Sequence, residues 1–71
     1  MTYTETIHTA ITLKRRKQVE FQTGLSRSGI YKMMSEGNFP LPVKLTSKAV
    51  AWRSDEIEAW INSRTSRSNN A

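Results

Sequence analysis

Apolar positions along the chain follow helical spacing, then alternate, then return to helical spacing. Val19 anchors the first stretch and predicts a helix over about Arg16–Thr23, closed by Gly24, a residue suited to the left-handed backbone that ends helices. Phe21 fits that helix poorly. Two positions from Val19, it points about 200° round the axis, which leaves a neighbouring element or the N-terminal segment to cover it. The turn Gly24-Leu25-Ser26 follows, with Leu25 plugging the core and Ser26 placed to cap the next helix by accepting a free amide. That second helix covers about Arg27–Glu36 and stops at Gly37. Ile30, Met33 and Met34 share its inward side, and Arg27, Ser28, Tyr31, Lys32 and Ser35 fall on the other. Gly29 either costs this helix about 1 kcal/mol relative to Ala or permits a close approach.

Asn38-Phe39-Pro40-Leu41-Pro42 cannot continue a helix, because each proline lacks an amide donor and fixes its backbone. It reads as an extended connector anchored by Phe39. Val43-Lys44-Leu45 and Val50-Ala51-Trp52 then form two short strands around a polar tip, Thr46-Ser47-Lys48. The last helix starts at a capping Ser54, carries Asp55, Glu56 and Glu58 where the helix dipole favours negative charge, and sets Ile57, Trp60 and Ile61 in one apolar stripe. Residues 1–12 are rich in threonine and read as a flexible arm, with Ile7, Thr9, Ile11 and Leu13 on one face should a short strand form there. Residues 65–71 are polar and small, a disordered tail. The folded domain is therefore 13–64.

Composition narrows the classes. A chain of 71 residues makes one domain with a small core, and with no cysteine and one histidine it has neither a disulfide framework nor a Cys/His zinc site. No apolar run approaches a membrane span, and no basic-then-apolar start marks a secretory signal, so a cytoplasmic protein is expected. The net charge of +5 is unevenly spread. Nine basic residues between Lys14 and Arg53 face only Glu20 and Glu36, a body suited to binding a polyanion. No nucleophile with a nearby base, glycine-rich phosphate loop or working pair of carboxylates is present, so no enzyme, cofactor or metal is expected.

Two short helices joined by a glycine-containing turn, then a two-stranded hairpin and a closing helix, predict a mainly α winged helix-turn-helix with a small β-hairpin wing. In that fold the second helix enters the major groove of duplex DNA while the first braces it from the backbone. Arg27 can take a guanine bidentately, Ser28 can bond base edges or phosphate, and the helix N-terminus at Ser26 favours a phosphate. Tyr31 and Lys32 stand one turn further on. Ser47 and Lys48 at the hairpin tip can reach a neighbouring groove or phosphate. Lys17, from the basic run Lys14–Lys17, and Lys44, from the first strand, complete the candidate contacts. Trp52 and Trp60 read as core residues rather than as platforms for stacked bases.

The stretch from Lys17 to Arg64 resembles the AlpA family of small prophage and mobile-element regulators, a branch of the excisionase-like and MerR-like winged-helix group. The resemblance rests on Thr23-Gly24-Leu25-Ser26-Arg27-Ser28-Gly29-Ile30-Tyr31-Lys32 and on Gly37-Asn38-Phe39-Pro40-Leu41-Pro42-Val43-Lys44-Leu45. It continues through Ala49-Val50-Ala51-Trp52-Arg53 and Glu56-Ile57-Glu58-Ala59-Trp60-Ile61. It implies a DNA-binding regulator in the bacterial cytoplasm, associated with the nucleoid, with recognition-helix positions at Ser26, Arg27, Ser28, Tyr31 and Lys32 and a wing tip at Ser47 and Lys48. Gly29 stands where the family often has Thr, and Lys48 where Arg is common. Arg16 and Phe21 depart from the apolar and polar residues expected there.

Three functions compete on this frame. The first is a sequence-specific transcriptional regulator. The second is an excisionase-type factor that bends DNA for an integrase, and the third an adaptor or inhibitor that binds an acidic protein. Integrase and RNA polymerase are the candidate protein partners. With little surface left for a large dimer interface, a monomer is expected in solution, with side-by-side assembly on DNA.

Overall fold

The computed structural model describes residues 10–65. In chain order it holds β1 (Leu13–Lys14), α1 (Arg16–Thr23), α2 (Arg27–Ser35), β2 (Val43–Thr46), β3 (Ala49–Arg53) and α3 (Ser54–Thr65). This is a winged helix-turn-helix, with three helices packed on a small antiparallel sheet. The sheet order is β1-β3-β2, so the wing hairpin gains a third, two-residue strand that the sequence pattern did not separate from the basic run. Ile7 and Thr9 of the anticipated N-terminal strand, and the tail beyond Thr65, lie outside the described residues.

The register explains which faces are buried. Val50 pairs with Lys44 and Trp52 with Lys14, while Ala51 pairs with Val43 and Arg53 with Leu13. Side chains alternate along a strand, so Val50 and Trp52 share the face that meets the helices. The core cluster is Val19, Ile30, Phe39, Trp52 and Ile57, one residue or more from α1, α2, the connector, β3 and α3. Leu25, Met33, Met34, Val50, Trp60 and Ile61 pack around it, as the helical spacing predicts.

Turns and ends are held by specific bonds. Gly24 and Gly37 close α1 and α2 at φ +82° and +78°, a backbone region that a side chain disfavours. Within the turn, the Thr23 hydroxyl donates to the Val19 carbonyl oxygen at 2.7 Å and accepts from the Leu25 amide at 3.2 Å. The second helix ends at Ser35, with Glu36 as its cap residue rather than its last turn. Gly37 and Asn38 then donate their amides to the Met34 and Met33 carbonyl oxygens. The connector is pinned by both tryptophans: Trp52 donates its indole N–H to the Pro40 carbonyl oxygen at 3.0 Å, and Trp60 donates to that of Asn38 at 2.8 Å.

Two expectations need correction. Ser54 does not use its hydroxyl to cap its own helix. That oxygen accepts the Thr12 amide at 2.9 Å while the Ser54 amide donates to the Thr12 carbonyl oxygen at 2.8 Å, which extends the β1–β3 pairing by one residue. Thr46 belongs to β2, opposite Ala49, so the tip is the two residues Ser47 and Lys48, and the extra residue is taken up by a register shift between Lys44 and Thr46. Phe21 is 91% exposed among the described residues, and residues 1–9 of the N-terminal segment expected as its other cover lie outside them.

Two substitutions test this frame. Ile30→Ala empties a fully buried site and is expected to cost about 2–5 kcal/mol, read as a fall in the urea midpoint. Ser54→Ala removes the acceptor of the Thr12 amide and is expected to cost about 1 kcal/mol, with hydrogen exchange accelerated more at Thr12 than at Ile30.

Candidate nucleic-acid interface

The outward side of α2 is set by its inward side. Ile30 is fully buried, and Met33 and Met34 pack beside it, which commits that side of the helix to the core and carries Ser28 and Lys32 to the far side. Arg27, Ser28 and Lys32 are exposed, and Tyr31 is 39% exposed, its ring partly seated. Neither Arg27 nor Lys32 is in an ion pair among the described residues. Two cations, a hydroxyl and a phenol are therefore exposed along one helix, and no ion pair among the described residues neutralises them.

The start of α2 is tightly organised. Ser26 adopts an extended backbone and its hydroxyl accepts the Gly29 amide at 3.1 Å, the capping role the sequence assigns to it. The Ser28 hydroxyl lies 3.4 Å from the same oxygen, so both serines sit at one helix end. Gly29 is explained by crowding: a Cβ there would stand 3.3 Å from the Ser26 hydroxyl oxygen and within 4 Å of Leu25. A larger residue would push against the cap that orders this end of the helix.

The other candidates divide. Lys44, Ser47 and Lys48 are all exposed on the wing, and the Lys48 amide donates to the Thr46 hydroxyl at 3.1 Å, which fixes the tip backbone. The run Lys14–Lys17, by contrast, is not one basic surface. Lys14 is half-buried in β1, and Arg16 donates through Nε to Glu20 at 2.9 Å one helical turn away. Arg15 and Lys17 remain exposed. A sequence of four consecutive cations hides this split because a strand ends and a helix begins inside it.

Acidic residues lie elsewhere. Asp55 takes a two-pronged contact from Arg53, with Nε to Oδ1 at 3.0 Å and Nη2 to Oδ2 at 2.9 Å. These bonds hold the Asp55 carboxyl below its ordinary pKa and raise that of Arg53. Glu56 is exposed on the same first turn of α3, and Glu58 is exposed just beyond it. The surface thus carries unpaired positive charge on α2 and the wing, and negative charge at the start of α3. No group of three or more metal-ligating side chains occurs among the described residues, and no helix there is long and apolar enough to cross a membrane.

Comparison with known proteins matches residues 12–65 to the family model described as prophage CP4-57 regulatory protein (AlpA). The matched segment runs from the Thr12–Ser54 clasp to the end of α3, and so takes in every described element. An uncharacterized protein, ORF88, of Enterobacteria phage P4 is 44% identical over 50 residues, which cover 70% of this chain and 57% of that protein. The chain thus spans little more than half the length of this relative. With the family model covering the whole winged helix-turn-helix, the chain belongs to the AlpA family of prophage regulatory proteins.

Proposed function

We propose that this protein is a sequence-specific regulator that binds duplex DNA, with α2 in the major groove and the wing tip on the flanking backbone or groove. The observation that carries this reading is the outward side of α2, where Arg27, Ser28, Tyr31 and Lys32 are exposed while Ile30 locks the helix to the core. A helix used as a reader must be rigid and must present donors without intramolecular partners. Arg27 and Lys32 meet both requirements. Membership of a family of prophage regulators supports the same reading.

Each residue takes a role from its chemistry. Arg27 is the base reader, because its planar fork matches the O6 and N7 acceptors of guanine. Ser26 and Ser28, at the capped helix start, meet a phosphate together with the free amides there. Tyr31, exposed on the same helix, offers its hydroxyl to the backbone. Lys32 supplies charge along the phosphates, and Lys44, Ser47 and Lys48 do so from the wing.

The test is nuclease footprinting over the genomic neighbourhood of the gene, with random duplex as competitor. A discrete protected site upstream of a promoter is the expected result. A run of adjacent sites beside an attachment end, with enhanced cleavage between them, would instead mark an excisionase-type bending factor. No protection above competitor would overturn DNA recognition and return the adaptor reading, in which the same cations face an acidic protein.

Two sets of variants follow. Arg27→Ala is expected to weaken binding to the protected site by about 1–3 kcal/mol and to relax preference at one base position, measured by fluorescence anisotropy on single-base variants of the site. Lys48→Ala is expected to weaken specific and random duplex alike and to lower the slope of log K against log salt by about one.

A further inference from the structure

Phe21 is the most exposed of the large apolar side chains described, at 91%. An open phenyl ring on a folded helix loses the free energy its burial would return, and nothing in the DNA-reading surface uses it. Its surroundings are specific: it lines a shallow depression with Lys14, Lys17, Gln18 and Gln22, and no carboxylate lines it. The depression is apolar at its centre and positive at its rim.

A second depression has the complementary character. It is lined by Pro40, Leu41, Glu56, Ala59 and Trp60, and Leu41 is 67% exposed. Here the apolar floor is rimmed by a carboxylate and no cation lines it. The floor is stiff, because Pro40 and Asn38 are tied to the two indole N–H groups and Trp60 packs edge-on against Phe39 with ring centroids 4.9 Å apart. Arg64 lies over the Trp60 ring at 4.6 Å and holds it further in place.

We propose that these two surfaces bind one another in successive copies of the chain. Phe21 of one copy enters the Pro40–Leu41–Trp60 depression of the next, and Lys17 meets Glu56. The occupant is a second copy because each depression supplies what the other lacks: a protruding ring against an apolar floor, and a cation against a carboxylate. The two surfaces share no residue, and with each neighbour engaging one of them the contact is head-to-tail. It leaves one surface of each kind open at the ends and propagates into a row instead of closing as a symmetric dimer. A contact this small is weak between free molecules. It gains strength when copies are held side by side on a linear template, where the local concentration of the neighbour is high.

The contact is between protein surfaces and is read without DNA, so it stands or falls apart from the DNA-binding proposal. The chain has no cysteine, which makes single-cysteine variants clean probes. Gln22→Cys and Ala59→Cys, each at the edge of one depression, are mixed at high concentration and treated with a short bismaleimide. The cross-linked yield is expected to be about tenfold above that of Gln22→Cys mixed with Ser35→Cys, which lies on neither surface; that ratio corresponds to about 1.4 kcal/mol. A chain carrying both cysteines is expected to give a ladder. Phe21→Ser, Lys17→Glu or Glu56→Lys placed in these backgrounds should each remove the excess. Lys17→Glu and Glu56→Lys together in the ladder-forming chain should restore it, since both partners are exchanged. Circular dichroism checks that each variant is folded. A yield no higher than the Ser35→Cys control overturns the proposal, as does equal dimerisation of Gln22→Cys alone, which would mark a symmetric contact. Failure of the double exchange to restore the ladder overturns the Lys17–Glu56 pairing.

Discussion

The indole of Trp52 is wholly buried, and its N–H donates to the Pro40 carbonyl oxygen at 3.0 Å. From β3 it joins Val19 of α1, Ile30 of α2, Phe39 of the connector and Ile57 of α3 in one buried cluster. In a chain with no disulfide and so few buried residues, one large aromatic shared by all elements replaces the layered core a longer domain would have. The hydrogen bond makes the polar end of the ring acceptable in the interior and fixes the connector at a proline that cannot donate in return.

That arrangement decides which residues are left for function. Once Ile30 is committed to the core, Ser28 and Lys32 are carried to the opposite side of α2, and Arg27 stays exposed as the first residue of the helix. The register sets Val50 and Trp52 inward, and Lys44, at the edge strand, and the tip residues Ser47 and Lys48 stay exposed. The basic surface is therefore a consequence of packing as much as of composition. Cations that the fold needs for itself are withdrawn from it: Arg16 to Glu20, Arg53 to Asp55 and Arg64 to the Trp60 ring. The remaining positive charge is concentrated on α2, Lys17 and the wing.

Much of this was legible in the sequence because the signals were local. Glycines at 24 and 37, prolines at 40 and 42 and the stripe Ile57–Trp60–Ile61 set the helix limits and the hairpin to within a residue or two. The capping role of Ser26 followed from its type and place. What could not be read depended on partners distant in the chain. Ser54 looks like a helix cap until Thr12 is brought beside it by strand pairing, 42 residues away. Lys14 looks like part of a basic run until β1 pairs it with Trp52. Of the candidate contacts, Arg27 and Lys32 are exposed as expected, yet exposure alone does not assign them a base or a phosphate. Phe21 was visibly out of phase with Val19, a sign that the ring serves a surface rather than the core.

The account rests on a reading side built from α2 and the wing tip, and amide chemical-shift mapping on titration with a short duplex tests it most directly. The predicted result is that the largest shifts fall at residues 26–32 and 47–48, while amides at the start of α3 move little. Shifts concentrated at Asp55–Glu58 or at Pro40–Leu41, with α2 unmoved, would contradict the placement of the helix in the groove.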